Sequence, residues 1–239
     1  MKITLFLVAL LASTSVNAFL TNVYDLIPEQ YLPALFPIGS GAAVKNCIDQ
    51  NFNYCQSNFN TAIGAVNTLN WRNGAALALA VQKQLTGSPA SYAKVCQART
   101  KFSTCMGSMF SSCINRFSLM ARPNAVYLNV LTYVNIYTHL DFLCNSGFEI
   151  FIDSTNFLEV IKNLHTPATI NCDNAFSAAV TTNAVDMCTN AATYASCYQT
   201  SFGVDGFVAV AWAMCNDIVV GFGNDCQNLR CFVNPNGPH

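Results

Sequence analysis

Twelve cysteines are the residues of this chain best equipped for chemistry: Cys47, Cys55, Cys96, Cys105, Cys113, Cys144, Cys172, Cys188, Cys197, Cys215, Cys226 and Cys231. Oxidation to disulfides is the chemistry their spacing favours. Zinc sites draw on close cysteine pairs, and only Cys226 and Cys231 approach that spacing. Dithiol redox catalysis needs C-x-x-C, and no two cysteines here lie so close. No metal site and no cofactor is expected. The histidines add little. His139 falls inside an apolar helical stretch and reads as a buried core residue, His165 as a loop residue before Pro167, and His239 as part of a polar tail. No H-E-x-x-H, G-x-S-x-G or P-loop motif is present. Asp141, Glu149, Asp153 and Glu159 are close in sequence, and Glu149 and Asp153 are spaced to share a helix face, which describes a solvated surface group. No catalytic residue is assigned, and the chain is read as more in keeping with a non-enzyme. An active site assembled from distant segments stays open.

Seventeen phenylalanines and nine tyrosines form a second surplus. Core filling accounts for most of them. The functional alternative is a rigid helical shell around an apolar pocket with a few polar handles. Tyr137, His139 and Tyr194 are the candidate ligand-binding residues on that reading.

These side chains need a scaffold and a compartment. Met1-Lys2 followed by apolar Ile3 to Ala12 and then Val16-Asn17-Ala18 has the form of a secretory signal over 1–18, with cleavage before Phe19. A membrane span needs about 20 apolar residues, roughly twice this run, so no integral membrane segment is expected. Secretion to the extracellular space makes disulfides the natural state of the cysteines. Charged residues make up only 10% of the chain and nearly cancel, with 11 basic and 12 acidic side chains. That balance argues against nucleic acid as a partner and leaves little repulsion between copies, so a homo-oligomer is compatible with it.

An irregular, proline-containing lead is expected over 19–41, followed by a single disulfide-laced helical domain over 42–239. Spacings of three and four predict helices over Ala42–Leu69, Arg72–Gln84, Pro89–Arg116, Ala125–Leu143, Phe148–Leu164, Thr169–Gln199 and Val204–Val220. The β-branched and aromatic residues of 125–143 also permit a local strand. The fold class is all-α, a compact disulfide-rich bundle, with two lobes expected at 42–146 and 147–232. CQARTKFSTC at 96–105 and CTNAATYASC at 188–197 share a C-x₈-C frame. Duplication and two helices answering one packing demand both explain it.

Cysteines eight or nine residues apart in a helix are separated by about 12–13.5 Å, beyond the roughly 7 Å that a disulfide spans. Cys47 with Cys55, Cys96 with Cys105, and Cys188 with Cys197 are thereby excluded as pairs. Cys226 and Cys231 either pair locally or tie the C-terminus back. The C-x₈-C element resembles one element of the insect odorant-binding proteins, which are secreted helical carriers. The C-x₃-C pair of that family is missing here, and the resemblance is confined to 96–105 and 188–197. The leading expectation is a secreted, non-enzymatic carrier or sequestering protein for a hydrophobic small molecule such as a lipid, pigment or odorant-like compound. The alternatives are a structural or self-assembling extracellular protein, and an effector that binds a protein partner.

Overall fold

The computed structural model describes residues 19–37 and 47–233. The expected leader 1–18, the stretch 38–46 and the tail with His239 lie outside the described residues. Eight helices of ten residues or more carry the fold: α1 Asp49–Ile63, α2 Gly74–Leu85, α3 Pro89–Met106, α4 Tyr127–Leu143, α5 Ser154–Asn163, α6 Pro167–Thr182, α7 Met187–Phe202 and α8 Val208–Phe222. No strand occurs among the described residues, so the region 125–143 is helix. The molecule is an all-helical, disulfide-bonded bundle.

Local chemistry sets the helix ends. Ser88 and Ser91 form a reciprocal capping box at the start of α3, with Pro89 in its first turn. Thr166 and Pro167 do the same for α6, where the threonine oxygen accepts from the Thr169 amide. Five of the predicted helices are shorter than periodicity implies: Ala42–Leu69 ends at Ile63, where Gly64 takes φ 72°, Val204–Val220 begins only at Val208, and three others are cut as follows. Pro89–Arg116 stops at Met106, because Gly107 takes φ 52° and turns the chain. Phe148–Leu164 breaks at Asp153, whose carboxylate caps α5 by accepting from the amides of Thr155 and Asn156. Asp153 therefore does not share a helix with Glu149. Thr169–Gln199 is two helices: Asn183 extends the backbone after α6, and its side-chain amide donates to Asp186 at 2.5 Å.

Every cysteine is paired: Cys47–Cys113, Cys55–Cys105, Cys96–Cys144, Cys172–Cys197, Cys188–Cys226 and Cys215–Cys231. Three bonds fall within 47–144 and three within 172–231, and none joins the two groups. The C-x₈-C helices α3 and α7 are bonded alike. Their second cysteine reaches back to an earlier helix, Cys105 to Cys55 on α1 and Cys197 to Cys172 on α6. Their first reaches the residue group just beyond a later helix, Cys96 to Cys144 after α4 and Cys188 to Cys226 after α8. Cys226 and Cys231 do not bond each other; both tie the C-terminal segment back. The remaining bridges, Cys47–Cys113 and Cys215–Cys231, have no counterparts in this scheme. A native bridge contributes about 2–4 kcal/mol, mostly by restricting the unfolded chain.

What joins the two cross-linked groups is non-covalent. Helix α4 packs on α8, Phe142 on Trp212, and Arg116 makes a two-point ion pair with Asp225 at 2.6 and 2.8 Å. Across the seam runs the segment 19–36, a strap made of short helical turns. Phe19, Leu20, Val23, Tyr24, Ile27, Leu32 and Phe36 are all buried. Phe19 meets Tyr92 of α3, Phe151, and Phe157 of α5 at ring separations of 5.1–5.5 Å. Over its described part the lead segment holds three short helical turns, Val23–Leu26, Glu29–Tyr31 and Leu32–Leu35, and it is part of the core.

Candidate functional site

Each of the three polar handles named from sequence sits in the core, the two phenols hydrogen-bonded and His139 bonded through one of its two ring nitrogens. Tyr137 and Tyr133, on α4, both donate to Gln56 Oε1, at 2.8 and 2.5 Å. Gln56 Nε2 in turn donates to Asn60 Oδ1 at 2.8 Å, and Asn60 Nδ2 holds the carbonyls of Val66, Asn67 and Leu69 in the turn after α1. Tyr194 and Tyr198, on α7, both donate to Asp173 Oδ1, at 2.7 and 2.9 Å. Burial pushes the pKa of all four phenols up. Tyr137 and His139 lie on α4 and Tyr194 on α7, so the fold does not bring the three to one place.

His139 belongs to a different constellation. His139 and Asp217 have fully buried side chains, and His139 Nδ1–H donates to Asp217 Oδ1 at 2.6 Å. The Thr21 hydroxyl, from the strap, donates to Asp217 Oδ2 at 2.9 Å. A hydroxyl, an imidazole and a carboxylate thus meet, but in the wrong order for a nucleophile relay. In a catalytic triad the imidazole stands between the carboxylate and the hydroxyl. Here the carboxylate stands in the middle. His139 Nε2 is buried without a hydrogen-bond partner, and it faces Gly221 of α8, where an added Cβ would lie 3.1 Å away. The arrangement can lock α4, α8 and the strap together. It offers no proton path to a reacting hydroxyl.

A hollow lies where the strap crosses α2. Its volume is about 110 Å³, and Leu20, Ala75, Ala78 and Leu79 form its apolar walls. Two buried amides share the lining, Asn22 from the strap and Gln82 from α2. Gln82 is 4% exposed and Asn22 8%. Gln82 Oε1 accepts from the Leu20 amide at 2.9 Å, and Asn22 Nδ2 donates to Thr132 Oγ1 at 3.3 Å. The other atom of each amide, Gln82 Nε2 and Asn22 Oδ1, has no partner. A buried polar atom without a partner costs about 1–3 kcal/mol. The unmatched donor and the unmatched acceptor belong to two residues that line one hollow, and both atoms are closed to a water-sized probe. Asp25 completes the lining at the rim, open to solvent on its outer side. Its partial burial raises its pKa above the ordinary carboxylate value, and hydrogen bonding from Asn22 pulls the other way.

The larger hollows are open surface grooves. One of about 440 Å³ runs beside the Cys96–Cys144 bridge, and one of about 700 Å³ lies over Thr193, Ser196 and Thr200 of α7. Neither is lined by a buried unpartnered polar atom.

Sequence reasoning missed Asn22, Asp25 and Gln82. The only sign of them was Asn22 and Asp25 among Thr21 and the apolar Leu20, Val23 and Leu26 of the lead, and one of the two glutamines, Gln82 and Gln84, on an alanine- and leucine-rich helix. Among the described residues, no group of three His, Cys, Asp or Glu is placed to hold a metal ion. Among the same residues, no helix is long and apolar enough to cross a membrane. No protein-family model, no curated protein and no solved structure matches the chain.

Proposed function

We propose that the protein is a secreted, non-enzymatic carrier that sequesters a small, largely apolar molecule. The observation that carries this reading is the cavity under the strap, with apolar walls and two buried amides that each lack one hydrogen-bond partner. Binding sites for small molecules combine apolar lining with a few fixed polar groups. Six disulfides support the extracellular setting, since such bonds persist where the medium is oxidising. Size narrows the ligand. A cavity of 150 Å³ accepts benzene, which has six heavy atoms, so about 110 Å³ suits a smaller molecule, of roughly four or five heavy atoms, and is too small for a lipid or pigment with the strap in place.

The test is native mass spectrometry of the full-length product secreted from a eukaryotic host. The expected species begins at Phe19, carries six disulfides and holds a low-mass adduct that leaves on denaturation. Bare protein in every preparation overturns the carrier reading.

A second reading, self-association, rests on its own observation. Leu158 and Val204 are 65% and 78% exposed. They flank the Lys162–Asp205 ion pair, 2.8 Å long, that joins α5 to the turn before α8. Sedimentation of the wild type beside Leu158→Glu separates the two: a concentration-dependent dimer that the variant abolishes favours assembly.

A further inference from the structure

We infer that the groove of about 440 Å³ along α3, beside the Cys96–Cys144 bridge, binds a free medium-chain fatty acid as its carboxylate, with the hydrocarbon against Phe148 and the head at Lys101. This goes beyond the cavity under the strap, with which the groove shares no lining residue.

The groove follows from the register of α3. Ala93, Gln97 and Lys101 recur at every fourth residue and so form one stripe of the helix, along which the groove runs. From Ala93 to Lys101 the helix rises about 12 Å. The two ends of this stripe differ. Phe148 is only partly buried, and its ring lies 6.2 Å from that of Tyr92, which places it at the Ala93 end. Cys96 and Cys144 lay their disulfide along the same wall. Toward the other end Gln97 and Lys101 stand one turn apart and are exposed. Neither of these two side chains makes a hydrogen bond or an ion pair among the described residues. The Thr100 hydroxyl beside them is already engaged, donating to the Cys96 carbonyl at 3.0 Å.

Apolar wall at one end and unengaged donors at the other match a molecule with a chain and a polar head. The donors select the head. The lysine ammonium carries only donors, and the glutamine NH₂ adds two more, so an acceptor is required, and a negative one answers Lys101 best. The lysine stem is flexible and its ammonium is tied to nothing, so it is free to swing onto a carboxylate lying in the groove.

Octanoate, 1-octanol and octylamine share one chain and differ in the head. Each is titrated, below the concentration at which it self-associates, into the isotopically labelled, disulfide-bonded protein at neutral pH while amide resonances are recorded. Octanoate is expected to bind with a dissociation constant on the order of millimolar and to shift the amides of Ala93, Gln97 and Lys101. 1-Octanol is expected to bind about two- to fivefold more weakly, the scale of one exposed ion pair. Octylamine, a cation at that pH, is expected to bind more weakly still.

Lys101→Gln is expected to bring octanoate down to the affinity of 1-octanol, and Lys101→Glu to place octylamine above octanoate. Lys94→Gln, at an exposed residue outside the lining, is expected to leave the order unchanged. Ala93→Trp fills the apolar end and is expected to abolish the shifts. The Lys101 variants change an exposed side chain and preserve the test should Ala93→Trp lose its resonance dispersion. Equal affinity for the three probes, or an order that Lys101→Glu leaves as it was, overturns the inference. So does a titration in which none of them shifts the α3 amides. Shifts confined to Leu20, Asn22 and Gln82 overturn it too, and favour the cavity under the strap.

Discussion

Asp217 shows how one buried carboxylate is made tolerable and what its removal exposes. It accepts from His139 and from Thr21, so its charge is solvated by the protein in place of water. Asp217→Ala leaves the imidazole and the hydroxyl in the core without their acceptor, and the expected loss is about 3–5 kcal/mol. Asp217→Asn keeps an acceptor for one of them and costs less, about 1–3 kcal/mol. Chemical unfolding of the two variants beside the wild type checks both sizes and their order. The tyrosines make a pH prediction. Burial raises the pKa of Tyr24, Tyr92, Tyr133, Tyr137, Tyr194 and Tyr198. In the unfolded chain the same phenols ionise near the usual value of about 10. The folded state therefore holds more protons than the unfolded one above that pH, so this contribution to stability is intact below about pH 10 and is lost as pH climbs past it. The tyrosinate absorbance of these six, out of nine tyrosines, is expected to appear only together with loss of helical circular dichroism. Ionisation of all nine tyrosines within a folded protein contradicts the burial of these rings.

The strap and α2 are the elements whose placement the rest depends on. Phe19 puts its ring among three aromatics contributed from α3 to α5, and no disulfide holds the strap in place. Phe19→Ala is expected to cost about 3–5 kcal/mol and to raise hydrogen exchange along 19–36 and on the facing side of α2 before either cross-linked group opens. Uniform acceleration of exchange across the molecule contradicts this division. At the start of α2, Gly74 meets α4 so closely that an added Cβ would fall 2.0 Å from the carbonyl oxygen of Asn129. Backbone cannot yield as a flexible side chain does. Gly74→Ala is expected to lower stability by several kcal/mol, read by thermal unfolding, against the small gain that alanine ordinarily brings inside a helix.

The helices themselves were legible, since three- and four-residue spacing reports a buried face directly. Their ends at Met106, Ile152 and Thr182 were less so. A glycine at positive φ, an aspartate that caps and an asparagine that bends all look like ordinary helix residues until neighbours fix them. The candidate site was the least legible part. Tyr137, His139 and Tyr194 sit on apolar stripes, and periodicity cannot tell a polar end that faces a pocket from one that meets Gln56, Asp217 or Asp173. Asn22 and Gln82 come from segments 60 residues apart in sequence, and only folding brings the two residues to one hollow.

At the scale of the whole molecule, two helical groups are each sewn by three disulfides and meet across a seam held by packing, one buried histidine–aspartate pair and the strap. Helical geometry excludes three cysteine pairs, which still leaves about eight thousand of the roughly ten thousand pairings formally available to twelve cysteines. The choice among them depends on which helices are neighbours. Sparse charge leaves the outer surface to asparagine, serine, threonine and glutamine, so long-range electrostatics contributes little to steering or to salt dependence. Rigidity of this kind would serve the proposed role, in which a small cavity keeps its shape outside the cell. A non-reducing peptide map of the protein, with thiols alkylated before digestion, tests the two-group account most directly. It predicts no alkylated cysteine, a Cys96–Cys144 and a Cys188–Cys226 peptide, and no bridge between 47–144 and 172–231. Free thiols, or any disulfide that crosses from one group to the other, would contradict it.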